Sequence, residues 1–476
     1  MLKKRTKIVC TMGPSTDNPE VLKELMRSGM DVARLNFSHG SHEEQLERIN
    51  KIKACREELG LYTAILLDTK GPEIRTGVFA DGKVEVVAGQ EFTLTTEDVE
   101  GTAERVSITY DELPQDVTVG NSILVDDGLI ELKVKSTTDT DIVCEVVNGG
   151  VIGSRKGINV PNVKVNLPGI TDKDKEDIIF GLENGIDFIA ASFIRDADAV
   201  REIRFLCNMF GGGRRIGIIP KIENMEGVEN LDEILSVSDG LMVARGDLGV
   251  EIPAEDVPYI QSQIIKKCNA AFKPVITATQ MLDSMQRNPR PTRAEVTDVS
   301  NAIKEGTDAI MLSGETAAGK YPIESVKMMA KIAESTELHL ADKPKTFRQK
   351  YVDKSTSAAV AYAAVETSCN INAKCIVASS VSGFTARIVS NFRPNALIAG
   401  LSPKEDVLRR MQLFWGVQPV KSQKVSSTDE IFESAIRIIS EEGIVRTGDR
   451  VILTGGGPAD KRGKGVTSLL KVAEIQ

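Results

Sequence analysis

The sequence predicts an α/β protein: a (β/α)8 TIM barrel, with an inserted all-β domain after strand 3 and a C-terminal open α/β domain. Eight short β-branched runs, each followed by a helical pattern, predict the barrel. A stretch of strict polar–apolar alternation predicts the insertion, and renewed strand–helix alternation predicts the last domain. The 476 residues suffice for about three domains. The predicted boundaries are 1–70 and 169–340 for the barrel, 71–168 for an inserted β-barrel lid domain, and 341–476 for the C-terminal domain.

The barrel strands are predicted from apolar, β-branched runs that end in polar residues. Three runs precede the insertion, with amphipathic helical patterns at Glu20–Ser28 and Glu43–Leu59 between them, and five follow it. The predicted strands are Lys7–Gly13, Asp31–Ser38, Thr63–Thr69, Asp187–Ile194, Ile216–Glu223, Gly240–Asp247, Pro274–Gln280 and Ala309–Thr316.

The inserted segment alternates polar and apolar residues at Lys83–Val87, Glu91–Thr95 and Ile130–Val134. Turn signals such as Asp81-Gly82 and Gly149-Gly150 separate these strands. Because the segment leaves the barrel from the carboxyl end of a strand, we expect it to lie at the end where barrel active sites form.

The C-terminal domain follows a charged linker at 343–354. A helix is predicted at Ser355–Cys369, and four strands follow it. These strands are Cys375–Ala378, Ala396–Gly400, Val417–Lys421 and Arg450–Thr454.

Composition excludes several classes of function. Lys plus Arg total 59 and Asp plus Glu total 68, so the formal charge is −9, which argues against nucleic acid or an anionic membrane as a partner. No apolar run reaches the roughly 18 residues that a membrane span needs. The seven scattered cysteines favour reduced thiols and a cytoplasmic location over a disulfide framework or a zinc site.

Charged residues gather at the predicted strand ends, where a barrel places its active site. Glu223 and Asp247 end adjacent strands, and two carboxylates with room for water and phosphate suit Mg²⁺ or Mn²⁺. Alternatively, they form salt bridges at the barrel rim. Lys221 points the same way as Glu223 and is suited to stabilise anionic charge, or simply to pair with Glu223.

A second group of polar residues ends the second and third predicted strands. Arg34, Asn36 and Ser38 alternate and therefore share one face. Arg34 is suited to bind phosphate, and the small oxygen donors Asn36, Ser38, Asp68 and Thr69 suit a monovalent cation. A helix N-cap would explain Ser38 equally well.

Taken together, these strand ends resemble the pyruvate kinase family. The resemblance covers the barrel and the hinge of the insertion, in the same order along the chain. The stretches that carry it are TKIVCTMGPS (6–15), ARLNFSHG (33–40), LDTKGPEIRTG (67–77), GSRKGINVP (153–161), PKIEN (220–224), ARGDLGVE (244–251), TATQMLDSM (277–285), RAEVTDVSNA (293–302) and MLSGETAAGKYP (311–322).

The resemblance implies transfer of a phosphoryl group from phosphoenolpyruvate to ADP, giving pyruvate and ATP in glycolysis. It implies Mg²⁺ (or Mn²⁺) and K⁺ as cofactors, and a homotetramer. It also leads us to expect a bacterial, potassium-dependent type without the extra C-terminal domain that some members carry.

The resemblance also implies roles for individual residues. The implied catalytic residues are Lys221, Thr279 and Arg34. The implied substrate contacts are Arg34, Lys221, Arg245, Gly246, Asp247 and Thr279. The implied nucleotide contacts are Asn36, His39, Arg75 and Lys156. The implied metal ligands are Glu223 and Asp247 for Mg²⁺, and Asn36, Ser38, Asp68 and Thr69 for K⁺. Thr279, Ser313 and Glu315 remain alternatives for routing a proton to the enolate.

The last domain resembles the effector domain of the family. Its loop Ser379–Thr385 lies between a strand and a helix, where N–H groups and hydroxyls suit the phosphate of a phosphorylated sugar effector. The residues concerned are Ser379, Ser380, Ser382, Gly383 and Thr385, with Lys461, Arg462 and Lys464 of a later loop closing over the anion. A well-capped turn explains the first loop equally well.

Two other functions compete with this interpretation. One is a metal-dependent C–C lyase on a phosphoenolpyruvate-type TIM barrel, which also needs carboxylates at the fifth and sixth strands. It does not need a potassium cluster, a mobile lid or Lys156. The other is a non-catalytic sensor, against which the intact set Lys221, Glu223, Asp247 and Thr279 argues.

The requirement for K⁺ depends on Glu73, in the stretch LDTKGPEIRTG. This position is Glu in potassium-dependent members of the resembled family and Lys in independent ones. A glutamate near Asn36, Ser38 and Asp68 adds negative charge that K⁺ offsets. We therefore expect full activity to require K⁺ or NH₄⁺, with Na⁺ a poor substitute, in assays buffered by tetramethylammonium.

The same charge argument predicts that Glu73→Lys gives an enzyme whose residual activity is insensitive to K⁺, because the lysine brings a tethered ammonium. Glu73 is otherwise a solvated hinge residue beside the Gly71-Pro72 turn. Full activity of the wild-type enzyme without added K⁺ would contradict an essential monovalent ion.

Overall fold

The structure, a computed structural model, describes residues 4–341, 355–423, 427–456 and 466–476. A closed barrel of eight parallel strands forms its centre. The elements before the insertion are β1 (Lys7–Thr11), α1 (Pro19–Ser28), β2 (Val32–Asn36), α2 (His42–Glu58) and β3 (Ala64–Asp68), with a 3-10 turn at Pro14–Thr16.

The inserted domain is all-β apart from one short helix. Its seven-stranded sheet has the order β4-β12-β8-β9-β10-β6-β7, and β5 pairs with β11. The two edges of the large sheet meet, because the Gly77 N–H donates to Ser107 and the Thr109 N–H to Arg75. Its elements are β4 (Ile74–Arg75), β5 (Lys83–Val86), β6 (Glu91–Thr95), β7 (Arg105–Ser107), α3 (Leu113–Asp116), β8 (Ser122–Val125), β9 (Ile130–Thr137), β10 (Asp141–Val146), β11 (Gly150–Gly153) and β12 (Gly157–Asn159).

The second part of the barrel carries five strands, each followed by helix. Three of its longer helices begin at side-chain N-caps: Thr171 before α4, Asp196 before α5 and Thr292 before α10. The elements are α4 (Asp172–Glu183), β13 (Phe188–Ala191), α5 (Ala197–Phe210), β14 (Gly217–Ile222), α6 (Met225–Glu229), α7 (Leu231–Val237), β15 (Leu241–Ala244), α8 (Arg245–Glu251), α9 (Val257–Ala270), β16 (Val275–Ala278), α10 (Arg293–Glu305), β17 (Ala309–Leu312), α11 (Gly314–Ala317) and α12 (Pro322–Ala341), with a 3-10 turn at Asp283–Gln286.

The C-terminal domain is a five-stranded sheet of order β20-β19-β18-β21-β22. Its four predicted strands run parallel, and the edge strand β22, which the sequence analysis missed, runs antiparallel. The elements are α13 (Thr356–Asn370), β18 (Cys375–Ser379), α14 (Phe384–Asn391), β19 (Leu397–Ser402), α15 (Glu405–Arg410), β20 (Val417–Lys421), α16 (Thr428–Glu441), β21 (Arg450–Gly455) and β22 (Leu469–Glu474), with a 3-10 turn at Met411–Leu413.

The predicted fold class is therefore confirmed, while several strand ends differ from the prediction. The sixth predicted strand, Gly240–Asp247, stops at Ala244, and Arg245–Glu251 forms helix α8. The seventh stops at Ala278, so Thr279 and Gln280 lie beyond it. No helix in the described part of the chain is both long and apolar enough to span a bilayer.

An aspartate precedes every second strand at the amino-terminal end of the barrel, which we call the barrel base. The backbone N–H of each aspartate donates to a carbonyl in the preceding strand at 2.9–3.0 Å. Its carboxylate accepts the N–H of that same residue at 2.8–3.0 Å. These base aspartates and their partners are Asp31 with Ile8, Asp187 with Ile65, Asp239 with Ile218, and Asp308 with Val275.

The base aspartates also join the barrel to the C-terminal domain. Asp187 lies 2.7 Å from Arg409, and Asp308 lies 2.8 Å from Arg393. Asp31 contacts Lys7, whose ammonium donates to the Val417 carbonyl at 2.8 Å. The barrel interior is closed on the same side by Leu413 of the C-terminal domain.

We predict that Asp187→Asn lowers the free energy of unfolding by about 3 kcal/mol, because Arg409 then loses the carboxylate that offsets its partly buried charge. The single tryptophan, Trp415, lies at this junction and reports unfolding by fluorescence in urea. Asp98→Asn, an exposed change in the inserted domain, is the control. A loss within about 0.5 kcal/mol for Asp187→Asn would contradict the anchoring role.

Candidate active site

A cleft of about 620 Å³ lies between the carboxyl ends of the barrel strands and the inserted domain. The inserted domain lines it with Arg75, Asp127 and Lys156. The barrel lines it with Arg195 and Asp247, among others. The cleft therefore joins residues that the sequence analysis selected from both domains.

A buried cluster of charges lies at the strand ends beside this cleft. The carboxylate of Asp68 accepts from Arg34 Nε at 2.6 Å and from Lys221 Nζ at 3.3 Å. Lys221 also donates to the hydroxyl of Ser192 at 2.8 Å, and Arg34 donates to Thr11 at 2.9 Å. These four contacts hold two cations in fixed positions at the end of the barrel.

The electrostatics of the cluster keep both Asp68 and Lys221 charged. Burial alone raises the pKa of Asp68, but Arg34 and Lys221 outweigh burial and hold the pKa below its usual range. Burial alone lowers the pKa of Lys221, but Asp68 and Glu223 outweigh it and raise the pKa. Lys221 is thus a permanent ammonium in a site shielded from water.

Glu223 is fully buried and has chemistry suited to a divalent cation. Its Oε2 accepts the N–H of Phe193 at 2.6 Å. Its Oε1 lies 2.8 Å from Lys221 Nζ, yet accepts no hydrogen bond in favourable geometry. Burial raises the pKa of Glu223 to about 8, an effect that Lys221 opposes and Asp247 increases.

The two carboxylates therefore fit a magnesium-type ion. Glu223 presents an oxygen with free acceptor capacity, and the negative charge of Asp247 is close enough to raise the pKa of Glu223. Within the described ranges, no group of three or more His, Cys, Asp or Glu side chains forms a metal cage. A protein usually binds Mg²⁺ through one or two carboxylates, and water and substrate phosphate supply the remaining oxygen ligands.

The four oxygen donors selected for K⁺ lie at the ends of two neighbouring strands, Asn36 and Asp68 on the strands and Ser38 and Thr69 just beyond them. Asn36 and Asp68 are direct register partners in β2 and β3. Asn36 accepts the N–H of Ser38 at 3.1 Å, and the Thr69 hydroxyl accepts the N–H of Ser192 at 3.1 Å. All four supply oxygen, the ligand type of a hard monovalent cation, and Asp68 adds a negative charge that Arg34 and Lys221 already share.

Glu73 pairs with cations of the hinge rather than with these four donors. Arg75 donates to it through Nε at 2.8 Å, the Nη2 of Arg75 lies at an ion-pair distance of 2.7 Å, and Lys70 Nζ lies 3.9 Å away. Arg75 also donates to the carbonyl of Arg155 at 2.8 Å. The charge of Glu73 is thus partly offset from within the chain.

Arg245 positions Thr279. Its guanidinium donates to the carbonyls of Thr279 at 2.6 Å and Ala278 at 3.1 Å, and pairs with Asp298 at 2.8 Å. Thr279 has φ +73°, a strained conformation for a β-branched residue. Gly246 approaches Thr279 so closely that a Cβ would lie 2.8 Å from its methyl group. The side chain of Arg245 thus holds the backbone that follows β16, and Gly246 packs directly against Thr279.

The residues selected for nucleotide lie on both sides of the cleft. Lys156 of the inserted domain is about 41% exposed and pairs with Asp126 at 3.0 Å. Arg75 and Lys156 both line the cleft. His39 is exposed in the loop after β2, and its carbonyl accepts from Gln45 at 2.8 Å.

Of the three proton-routing alternatives, Glu315 is fixed most firmly. Its carboxylate accepts the N–H groups of Leu282 at 3.0 Å and Ser313 at 2.7 Å. Burial raises the pKa of Glu315, and the hydrogen bonds from those amides partly oppose this increase. Glu315 therefore ties the loop after β16 to the end of β17, with both oxygens engaged.

The proposed effector loop shows two different environments. Ser382 is exposed, whereas Thr385 is buried and its hydroxyl lies 2.7 Å from that of Thr467. Gly383 has φ +83°, the left-handed conformation that favours glycine before α14. Ser379 and Ser380 are half-buried. The basic residues Lys461, Arg462 and Lys464 lie outside the described residues.

Sequence reasoning missed several residues of the site. Ser192 connects Lys221 to Asp68, and Arg195 and Asn224 line the cleft. The Nδ2 of Asn224 is buried without a hydrogen-bond partner in the described residues. Ser192 and Arg195 follow the fourth strand, whose end was the one available signal, and Asn224 directly follows Glu223.

Family comparisons agree with this geometry. The family model "Pyruvate kinase, barrel domain" matches residues 3–326. The model "Pyruvate kinase, alpha/beta domain" matches residues 358–473.

Individual relatives agree over nearly the whole chain. A pyruvate kinase of Bacillus licheniformis is 52% identical over 472 residues, which are 98% of this chain and 80% of that protein. One of Geobacillus stearothermophilus is 52% identical over 477 residues, which are 100% of this chain and 81% of that protein. The crystal structure of a pyruvate kinase from Cryptosporidium parvum superposes with a TM-score of 0.93 at 39% identity, over 100% of this chain and 97% of that one.

Proposed function

The chain belongs to the pyruvate kinase family, and we propose from this premise how its own residues carry out the reaction. The enzyme transfers the phosphoryl group of phosphoenolpyruvate to ADP, giving pyruvate and ATP. The observation that carries the residue assignments is the buried ammonium of Lys221 between Asp68 and Glu223. The competing lyase and the non-catalytic sensor are set aside by the family membership.

Phosphoryl transfer needs positioned cations more than covalent chemistry, and this cluster supports such a role. Lys221 faces the strand ends with its charge kept by two carboxylates, so it is ready to neutralise the phosphoryl group and the enolate oxygen. Arg34 reaches the same point, held by Asp68 and Thr11. We assign both residues to the transferring phosphoryl group.

Glu223 and Asp247 would hold Mg²⁺ or Mn²⁺. When bound, this ion supplies positive charge to the phosphoryl and enolate oxygens. Glu223 contributes an oxygen kept dry by burial, and Phe193 fixes that carboxylate through its N–H. The orientation of Glu223 is therefore set by the chain itself.

Thr279, Gly246 and Asp247 would hold the carboxylate and methylene ends of the substrate. Arg245 supports them from behind through two carbonyls. Thr279 also presents its hydroxyl at the strand end, which makes it one route for the proton that reaches the enolate. Glu315 has both oxygens occupied by amides, which favours Thr279 and Ser313 over Glu315 for that route.

Arg75 and Lys156 would reach the nucleotide phosphates from the lid, and Asn36 and His39 from the barrel. Lys156 is paired with Asp126 but remains partly exposed, so a phosphate can replace that carboxylate. Asn36, Ser38, Asp68 and Thr69 would hold K⁺, which supplies one further charge near the phosphoryl group when bound.

Three further properties are proposals supported by the family and the chain. We propose a homotetramer and a cytoplasmic location, the latter supported by the glycolytic reaction and seven free cysteines. We also propose that the loop Ser379–Thr385 binds a phosphorylated sugar. The exposed hydroxyl of Ser382 supports this proposal. The hydroxyl of Thr385 is buried against Thr467, so Thr385 also stabilises the conformation of the loop.

We predict that Lys221→Met folds but lowers kcat at least about 100-fold, because a preorganised cation is lost from a dry site. The measurement is ATP formation coupled to pyruvate release, with circular dichroism to check the fold. Lys175→Met, which removes a surface ammonium from α4, is the matched control and should keep wild-type kcat. Retention of a tenth of the wild-type kcat by Lys221→Met would refute the assignment.

We predict that Lys156→Ala raises the KM for ADP about tenfold while phosphoenolpyruvate binding stays within about twofold, because one charge-assisted phosphate contact is lost on the nucleotide side only. Calorimetry measures phosphoenolpyruvate binding directly. Lys133→Ala, on β9 of the same domain and exposed, is the control. Equal weakening of both ligands would show that Lys156 does not discriminate between them.

A further inference from the structure

The barrel base has four base aspartates, and one of them differs from the others. Two pair directly with arginines of the C-terminal domain, Arg409 and Arg393, and a third, Asp31, is linked to that domain through Lys7 of the barrel. The fourth, Asp239, is paired instead with two arginines of the barrel, Arg204 and Arg215, the latter at 2.8 Å. Its carboxylate also accepts the N–H of Ile218, so it is already saturated.

Two arginines of the C-terminal domain lie at this fourth position without partners. Arg387 of α14 and Arg410 of α15 have no ion pair and no side-chain hydrogen bond to the described residues. The Nε of each is buried without an acceptor. The guanidinium of Arg387 lies 5.5 Å from the ring of Phe384, which covers one face only.

The surroundings of these arginines are strongly basic. Burial lowers the pKa of Arg387 and of Arg410, and Arg215 lowers both further. Lys273 lies close enough for the charge of Arg387 to lower the pKa of its ammonium. The carboxylates that act on the pair, chiefly Asp239 and Asp406, do not reach ion-pair distance from either arginine.

Both side chains are half-buried, and a guanidinium whose Nε is buried without an acceptor carries a desolvation cost. The usual compensation is an anion held by the planar donors of the guanidinium. The basic groups of this cluster outnumber its carboxylates by more than one. This net positive charge favours a dianion over a single carboxylate. Arg215 is about 63% exposed and marks an opening to solvent. A small ion can therefore reach the position.

We propose that Arg387 and Arg410, with Arg215 beside them, bind a phosphate-class dianion between the C-terminal domain and the barrel base. The anion joins the two domains at the fourth position, as ion pairs and a hydrogen bond do at the other three. The site is separate from the catalytic cleft, which lies at the opposite end of the barrel strands. It shares α14 with the loop Ser379–Thr385, but its ligands face Asp239 of the barrel.

The test is thermal unfolding of the full chain, followed by Trp415 fluorescence, with inorganic phosphate against potassium chloride at equal ionic strength. We expect about 20 mM phosphate to raise the wild-type Tm by about 3 °C or more. Arg387→Gln/Arg410→Gln should lose most of this rise. The control Arg437→Gln/Arg446→Gln removes two exposed arginines from the same domain and should respond like the wild type.

Two further measurements distinguish this site from the rest of the protein and identify its anion. Any rise that survives in Arg387→Gln/Arg410→Gln reports phosphate at the catalytic cleft or the effector loop. Glycerol 2-phosphate is the second probe: a response at lower concentration than inorganic phosphate shows that the dianion is a monoester. Without phosphate, the double variant should be at least as stable as the wild type, because two uncompensated charges are gone.

Three results would contradict the proposed anion site. These are no phosphate response in the wild type beyond that of chloride, an undiminished response in the double variant, or a wild-type Tm that follows protein concentration rather than phosphate. If Arg387→Gln/Arg410→Gln does not fold, Arg387→Lys/Arg410→Lys replaces it. This variant keeps both charges but loses the planar donors, and an unchanged phosphate response there would also overturn the site.

Discussion

The buried carboxylate of Asp68 is the interaction on which the active site depends. Arg34 and Lys221 come from different strands, and without Asp68 their like charges would repel each other at the carboxyl end of the barrel. Asp68 accepts from both, and Ser192 joins the same network. Because Asp68 stays ionised, two cations remain aimed at one point away from water.

Glu223, in contrast to Asp68, is a buried carboxylate whose charge is incompletely compensated. Lys221 shares its ammonium between Asp68 and Glu223, so Glu223 is only partly compensated and burial leaves its pKa near 8. In the proposed function, a divalent cation held by Glu223 and Asp247 would offset that cost. The same desolvation that makes the free site costly makes its charges effective on phosphate oxygens.

The two ends of the barrel differ in how completely their charged groups are paired. At the carboxyl ends, charges are left partly uncompensated around a cleft. At the base, aspartates are saturated by backbone N–H groups and by cations from two domains, as Asp187 shows with Ile65 and Arg409. Saturated ion pairs join the C-terminal domain to the barrel base. At the other end, the strained backbone of Thr279 is held by the hydrogen bond from Arg245 to its carbonyl.

The sequence by itself determined the barrel, its insertion and the strand ends that carry Lys221, Glu223 and Asp68. Periodicity is a local property, and a closed parallel barrel necessarily brings its strand ends together. Only the tertiary structure decided which polar groups meet: Glu73 with Arg75, Thr385 with Thr467, and Ser192 with Lys221. It also decided that Asp247 begins a helix rather than ending a strand. These outcomes depend on burial and on distances of a few ångströms between segments far apart in the chain, and no local pattern encodes such distances.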